Sequence, residues 1–464
     1  MIGAVLVVVA LLLTVIASAT LWWQMHAWRT PSAFESTGFS THTSPRRTSS
    51  TRWTQERRVG DRRRRSDWSG PRRRVDDPEL GFSLIVPCRE ETEEVMTATV
   101  KRLLAQDHHD FEIIFSVGHD DDRPTSNGRN TVEIAQMLAA RWPDKVKVSI
   151  NYDPVKNKPR QLNTSLADCS KEIVGIIDAE SLTQVGLLTH VDATFRATGA
   201  DVVQGSVHLM NYRDSWFSLR NCLEYRIWFR SRLHGHALSG FIPLGGNTVF
   251  TKRDLLLEVG GWDGDCLAED CEIGVRLSCM GKKIVVGYDA ALTTQEETPE
   301  RIPQLIKQRT RWALGFMQVL AKGEWKKLPT RSQRLHAWWT LVQQHAVAVS
   351  GVALPVAILT ALLADLSPLV VLITFLPLIP TVTMLMFEML ILHEWGRDMD
   401  LDVRVRDYVR LLVSLPFYQF LLAVAVLRAI WKYTTGDFAW EKTAHAGSHL
   451  TPVADSARAD GVAA

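Results

Sequence analysis

The stretch Ile173-Val174-Gly175-Ile176-Ile177-Asp178-Ala179-Glu180 constrains this chain more than any other. A short apolar, β-branched run bounded by polar residues reads as a fully buried strand. It ends in two acids one residue apart, Asp178 and Glu180. At the mouth of a parallel sheet such a pair can hold a divalent cation, and Mg²⁺ or Mn²⁺ there bridges to substrate phosphates. The plain alternative is a strand followed by an acidic turn, which an isolated Asp-x-Glu does not exclude.

The surrounding pattern supplies the context. From Gly81 to about Gly287 buried strands alternate with helices, the signature of an α/β sheet with parallel strands. Strands are expected over Phe82–Pro87, Phe111–Val117 and Val146–Asn151, and helices over Glu91–Ala105, Thr131–Arg141 and Gln161–Cys169. Ligands bind beyond the carboxyl ends of such strands. Glu90, Glu91, Asp120, Asp178 and Glu180 all fall at those ends, and several acids on one rim suggest a cation and a nucleotide.

Outside this region the chain changes character. Ile2 to Trp23 is uncharged, apolar and near the length of roughly 20 residues that crosses a bilayer. Ala17-Ser18-Ala19 also fits a signal-peptidase site, but no Lys or Arg precedes the run, which favours a retained anchor. Arg29 to about Asp77 is rich in Ser, Thr and Arg and cannot bury a core. Its arginines, Arg57 to Arg74 above all, fit a polybasic segment on anionic lipid; no nucleic-acid-binding fold signal accompanies them. Arg beside a span stays cytoplasmic, so the α/β region that follows is expected inside the cell. Overall charge, +2, selects no partner. The six cysteines lack zinc-type pairing and read as reduced, mostly buried thiols. His108-His109 and His234-Gly235-His236 read as surface or turn histidines rather than metal ligands.

Further motifs follow in order. Pro243-Leu244-Gly245-Gly246-Asn247 is a loop where backbone can approach a ligand, or simply a turn. Glu269 and Asp270 open a helix running to about Met280, where a carboxylate is a cap or a general base. Gln308, Arg311 and Trp312 share one side of an amphipathic helix from about Pro303 to Trp325. An Arg there is a surface charge or a phosphate clamp, and Trp312 a core anchor or a sugar platform.

Taken together, Val86-Pro87-x-x-x-Glu91, Asp178-x-Glu180, Gly245-Gly246-Asn247, Glu269-Asp270 and Gln308-x-x-Arg311-Trp312 resemble family 2 glycosyltransferases. The likeness is to the membrane-embedded, inverting branch that includes cellulose, hyaluronan and mannan synthases, and it covers about Gly81 to Trp325. It implies a GT-A fold, an α/β nucleotide-binding sheet with transmembrane and interfacial helices on both sides in sequence. It further implies that Pro87, Glu91, Asp120, Lys158, Asp178, Gln308 and Arg311 bind a nucleotide-sugar donor. Asp178 and Glu180 would carry Mg²⁺ or Mn²⁺, Asp270 beside Glu269 would be the base, and Trp312, Gly246 and Asn247 would meet a glycan or lipid-linked acceptor. Elongation of a polysaccharide is the implied outcome, with single transfer the alternative. Three positions depart from the family pattern: Glu180 for the commoner Asp, Glu90 where many relatives carry Asn, and Ala268 for the usual Thr.

The expected divisions are an anchor over 1–24, an Arg-rich linker over 25–78, the GT-A domain over 79–300, an interface helix over 301–330, membrane and interfacial helices over 335–434 and a tail over 435–464. Spans are expected over Ala346–Leu363 and Leu369–Leu392. Tyr408–Trp431 holds Pro416, Gln419 and Arg428 and reads as an interfacial or re-entrant helix broken at Pro416. That reading keeps Trp440-Glu441-Lys442-Thr443-Ala444-His445 inside, where similar elements lie in relatives. So few spans leave an export channel to a partner or an oligomer. A transporter is disfavoured by sparse intramembrane charge and by the absence of repeated spans.

Overall fold

The computed structural model describes residues 1–29, 79–119, 128–155 and 157–441. The Arg-rich linker from residue 30, Asp120 and the chain from Lys442 onward lie outside the described residues. Helix α1 (Ile2–Arg29) comes first. The catalytic region then runs β1 (Phe82–Cys88), α2 (Glu93–Leu104), β2 (Phe111–Gly118), α3 (Thr131–Arg141), β3 (Val146–Asn151), α4 (Lys158–Asp168) and β4 (Ile173–Ile176). After α5 (Leu187–Thr198) come two short strands, β5 (Val202–Gln204) and β6 (Val207–Leu209). The region closes with α6 (Ser218–Ile227), α7 (Leu233–Leu238), β7 (Val249–Lys252), α8 (Arg253–Glu258), α9 (Glu269–Cys279), β8 (Ile284–Val286) and β9 (Thr294–Glu296).

Local chemistry explains the boundaries. Asn130 and Glu133 close a reciprocal capping box at the start of α3. The α4 helix begins at Lys158, three residues earlier than its apolar pattern predicts. Asn157 accepts the Arg160 N–H at 3.1 Å, and Pro159 is pre-set for a first helical turn. That early start puts Lys158 at the sheet's rim.

The strands form one seven-stranded sheet in the order β3-β2-β1-β4-β7-β5-β8. Side chains alternate along β1: Phe82, Leu84 and Val86 enter one core with α2, α3 and α5, while Ile85 enters the core on the other face. Helices on both faces explain why these strands are nearly uniformly apolar. The sheet is not wholly parallel, because β7 runs antiparallel to both β4 and β5. This reversal matters for the site. The register sets Ile176 opposite Val249, so the chain leaving β4 and the chain entering β7 emerge side by side. A separate parallel pair, β6 with β9, carries Glu296 up to that same edge.

Beyond the sheet lie α10 (Ile302–Lys322), α11 (Arg331–Leu363), α12 (Pro368–Phe375), α13 (Leu378–Asp398) and α14 (Val405–Thr435). Four stretches among the described residues are helical, long and apolar enough to cross a membrane: Ile2–Arg29, Arg331–Leu363, Pro368–Asp398 and Val405–Thr435. The first of these runs antiparallel to α11. Gly3 lies against Val370 just past the α11–α12 turn, while Trp23 packs on His336 near the start of α11.

The structure corrects two expectations here. The final helix is not broken at Pro416 but runs unbroken from Val405 to Thr435. Proline removes one backbone donor and crowds the preceding turn. The disturbed turn is steadied from outside, because Arg220 of α6 donates to the Leu411 carbonyl and to Ser414 Oγ. Second, His108, His234 and His236 are buried; His109 alone of that set is exposed. Helix α7 is wedged between α1 and α11, where His236 stacks on His336 with ring centroids 4.7 Å apart.

Candidate active site

The site assembles where β4 ends and β7 begins. The Asp178 N–H donates to Asn247 Oδ1 at 3.1 Å, and the Thr248 N–H donates to the Ile176 carbonyl at 2.8 Å. Thr248 holds φ at 55°, in the left-handed region where a β-branched residue is strained. Its hydroxyl is fixed to Thr294 at 2.8 Å, which helps to retain that conformation.

Lys158 ties the acids together. Its Nζ lies 2.5 Å from Asp178 Oδ1 and donates to the Gly246 carbonyl at 2.8 Å. The Gly246 N–H in turn donates to Asp270 Oδ2 at 2.6 Å. One hydrogen-bonded path thus runs from the Asp-x-Glu turn to the acid at the start of α9. Burial works against the Lys158 charge, but Asp178, Glu269 and Asp270 outweigh it and hold the ammonium above the ordinary lysine range. Burial, and then Glu180, penalise the charge of Asp178; Lys158 counters them only in part, so the carboxyl stays above the usual aspartate range. Glu269, buried beside Asp270, is pushed up to about 7 by burial first and by Asp270 second.

Helix α10 closes the cluster from the other side. Arg311 lies close enough for its charge to be felt at both Asp178 and Glu269. Its Nη1 donates to the Glu441 carbonyl at 3.3 Å, and its guanidinium sits 5.7 Å from the centre of the Trp440 ring. Arg89, just past β1, covers the same indole at 5.2 Å. Gln308 is buried, and its amide oxygen has no hydrogen-bond partner among the described residues. Trp312 is half-buried and tilted against Tyr225 at 6.0 Å.

The structure therefore gathers Lys158, Asp178, Glu180, Gly246, Asn247, Glu269, Asp270 and Arg311. Pro87 and Glu91 sit at the β1 mouth, where Pro87 is in register with Ser116 and the Glu91 N–H donates to Thr131 Oγ1 at 3.2 Å. Asn247 is not free to meet an acceptor through its side chain. Its oxygen accepts the Asp178 and Thr248 N–H groups, and its nitrogen donates to Ser181 Oγ at 2.7 Å and to Glu296. It is a strut for the loop.

Sequence reasoning missed Glu296. Its carboxylate accepts from Ser181 at 2.9 Å as well as from Asn247. Burial, then Asp178 and Glu180, pushes it up to about 8. In Thr294-Gln295-Glu296-Glu297-Thr298 nothing marks one acid as internal, because only the pairing of β9 with β6 turns it inward.

Among the described residues no group of three His, Cys, Asp or Glu side chains forms a metal cage. Two crowded carboxylates, Asp178 and Glu180, still fit Mg²⁺ or Mn²⁺, which take only one or two protein carboxylates and complete their shell with substrate phosphates and water.

Comparison with known proteins agrees with this architecture. The mannosyltransferase PcManGT from Pyrobaculum calidifontis, solved with GDP-Man and Mn²⁺, superposes with a TM-score of 0.56 over 93% of this chain and 99% of its own, at 17% identity. That likeness concerns the fold. The poly-β-1,6-N-acetyl-D-glucosamine synthase of Staphylococcus epidermidis is 26% identical over 259 residues, 55% of this chain and 59% of that protein. A β-monoglucosyldiacylglycerol synthase of Nostoc is 27% identical over 242 residues, 52% of this chain and 50% of that protein. The chain thus spans a little over half the length of the first and half that of the second. The model of the family described as "Glycosyltransferase like family 2" matches residues 78–315, about half of the chain, and the chain belongs to that family.

Proposed function

We propose that the protein is a membrane-bound inverting glycosyltransferase that moves a sugar from a nucleotide-sugar donor onto a growing polysaccharide by direct displacement, with Asp270 as base. The observation that carries this reading is the path Asp178–Lys158–Gly246–Asp270, which brings a phosphate-side acid and a proton acceptor into one pocket. Displacing a diphosphate builds negative charge on the leaving group, and preorganised cations stabilise it. Lys158 and Arg311 supply fixed positive charge, and Gln308, buried about one helical turn before Arg311, would add a polar contact to the donor. A divalent cation held by Asp178 and Glu180 would add Lewis-acid stabilisation of the leaving diphosphate. Asp270 takes the proton of the acceptor hydroxyl, a role worth about 10²- to 10⁴-fold in rate. Trp312, half-exposed at the end of this row, offers an apolar face to the acceptor sugar.

The membrane arrangement follows the same reading. Helix α1 and the α11–α12–α13 hairpin cross the bilayer, with the catalytic domain on the cytoplasmic side. Helix α14 lies along the interface: Asp407 near its start meets Arg213, Tyr418 at its middle meets Glu224, and the segment after it returns Glu441 to Arg311.

A second reading, transfer of one sugar to a lipid acceptor, is favoured by the likeness to the glucosyldiacylglycerol synthase. The two are separated by incubating the purified protein in lipid discs with a panel of uridine- and guanosine-diphosphate sugars and Mg²⁺ or Mn²⁺. Nucleoside diphosphate release identifies the donor, and product sizing distinguishes polymer from single addition. Absence of sugar-stimulated release with every donor overturns glycosyl transfer altogether.

A further inference from the structure

We infer that Arg309, clamped by Glu224 and Tyr418, is a positioning residue that sets the indole plane of Trp312, so that helix α14 controls the acceptor end of the site. The inference rests on the acceptor role proposed for Trp312.

Arg309 stands between Gln308 and Arg311 in sequence but points elsewhere. Its Nη2 donates to Asn221 Oδ1 at 2.6 Å and to the Tyr418 hydroxyl oxygen at 3.0 Å, and pairs with the Glu224 carboxylate. The Tyr418 hydroxyl donates to the same Glu224 oxygen at 2.8 Å. Elements α6, α10 and α14 therefore meet at one guanidinium. That guanidinium lies over Trp312, 4.6 Å from the ring centre. Tyr225, one residue beyond Glu224, also borders the indole, its ring tilted 40° to it with centroids 6.0 Å apart.

A second tie keeps the same helices in register. Arg220 bonds Ser414 Oγ at 3.0 Å and Glu388 at 3.2 Å, so α6 grips α13 and α14 one turn from the Arg309 knot. Apolar residues would join these helices at least as stably, since buried ion pairs repay their desolvation poorly. What an ion pair adds is direction. A cation over an indole is worth about 0.5–2 kcal/mol and favours one relative orientation of the two. Any axial slip of α14 moves Tyr418, and through Arg309 it re-aims Trp312.

The test uses the full-length protein labelled with 5-fluorotryptophan in lipid discs, with the Trp312 ¹⁹F resonance identified by its loss in Trp312→Phe. Tyr418→Phe and Arg309→Lys are expected to shift or broaden that resonance. Arg213→Gln, which cuts the ion pairs to Asp402 and Asp407 at the far end of α14, leaves it in place. In transfer assays with chitotetraose or octyl glucoside as acceptor, the same two variants raise the acceptor KM about two- to thirtyfold while the donor KM holds. Arg309→Gln is expected to do worse than Arg309→Lys. An unmoved Trp312 resonance in Tyr418→Phe, or donor and acceptor KM rising together, overturns the inference. If the unmodified protein transfers from no donor, the proposed function fails by itself, and the resonance still decides the positioning role.

Discussion

Lys158 opens the α4 helix in sequence, yet in the fold it joins Asp178 to the Gly246 loop. Replacing Asp270 by Asn is expected to reduce turnover about 10²- to 10⁴-fold while leaving donor affinity nearly unchanged, read by kinetics and by titration calorimetry with the donor. Glu296 gives a pH signature. A carboxyl whose folded pKa, here about 8, exceeds its unfolded value binds more protons when folded. Stability of the protein without added cation should therefore fall as pH climbs from the ordinary glutamate range through about 8. Glu296→Gln should flatten that fall in thermal melts recorded from pH 5 to 9, and an equally steep fall in the variant would rule the assignment out. Asp178, Glu180, Glu269, Asp270 and Arg311 were legible as candidates because each sits in a short motif, and Lys158 only through the family resemblance; the structure brings the six together. Glu296 was not legible, since burial of one acid among several polar neighbours leaves no periodic trace.

At the scale of elements, α10 and α9 meet through small residues. A Cβ added at Gly315 would come within 2.5 Å of the Ala268 Cβ and 2.7 Å of its backbone nitrogen. This close approach leaves no room for a larger side chain at Gly315 and ties the helix of Arg311 closely to the start of the helix that carries Asp270. Gly315→Ala should cost about 1–3 kcal/mol of stability by overpacking, and it should lower turnover beyond what the loss of folded protein explains. At Gly246 a Cβ would lie 2.9 Å from Asp270 Oδ2. Gly246→Ala should displace that carboxylate and lower kcat with little change in melting temperature. From β1 to β4, and again at α9 and α10, helix and strand existence was legible from hydrophobic period, whereas α5 to α8 and the short strands β5 to β9 drew no individual expectation. The reversed direction of β7 was not legible, because a strand of four residues, Val249–Lys252, carries nothing in its sequence that sets its direction.

At the scale of the molecule, the proposed arrangement divides the helices after α10 between lipid and protein. Single cysteines at Arg406 and Thr435, the two ends of α14, should both react with a membrane-impermeant maleimide from the side of the catalytic domain. A cysteine at Asp365 in the α11–α12 turn should react only from the opposite side; opposite labelling of the two α14 ends would make that helix a span. On the proposed arrangement length and hydropathy alone would mislead, since α14 is as long and nearly as apolar as the other three candidate spans. What distinguishes it is contact, from Asp407 on Arg213 to Thr310 on the Ala425 carbonyl. The amino-acid order by itself determined the local choices: which segments are strands, where helices start, which runs suit lipid, and which motifs carry charge. These depend on neighbours within a turn or two. Only the tertiary structure decided that β7 lies beside β4, that Glu296 props Asn247, that Pro416 is tolerated, and that Arg309 grips a helix more than a hundred residues away. Such pairings depend on which distant surfaces exclude water from one another, and no local pattern encodes that.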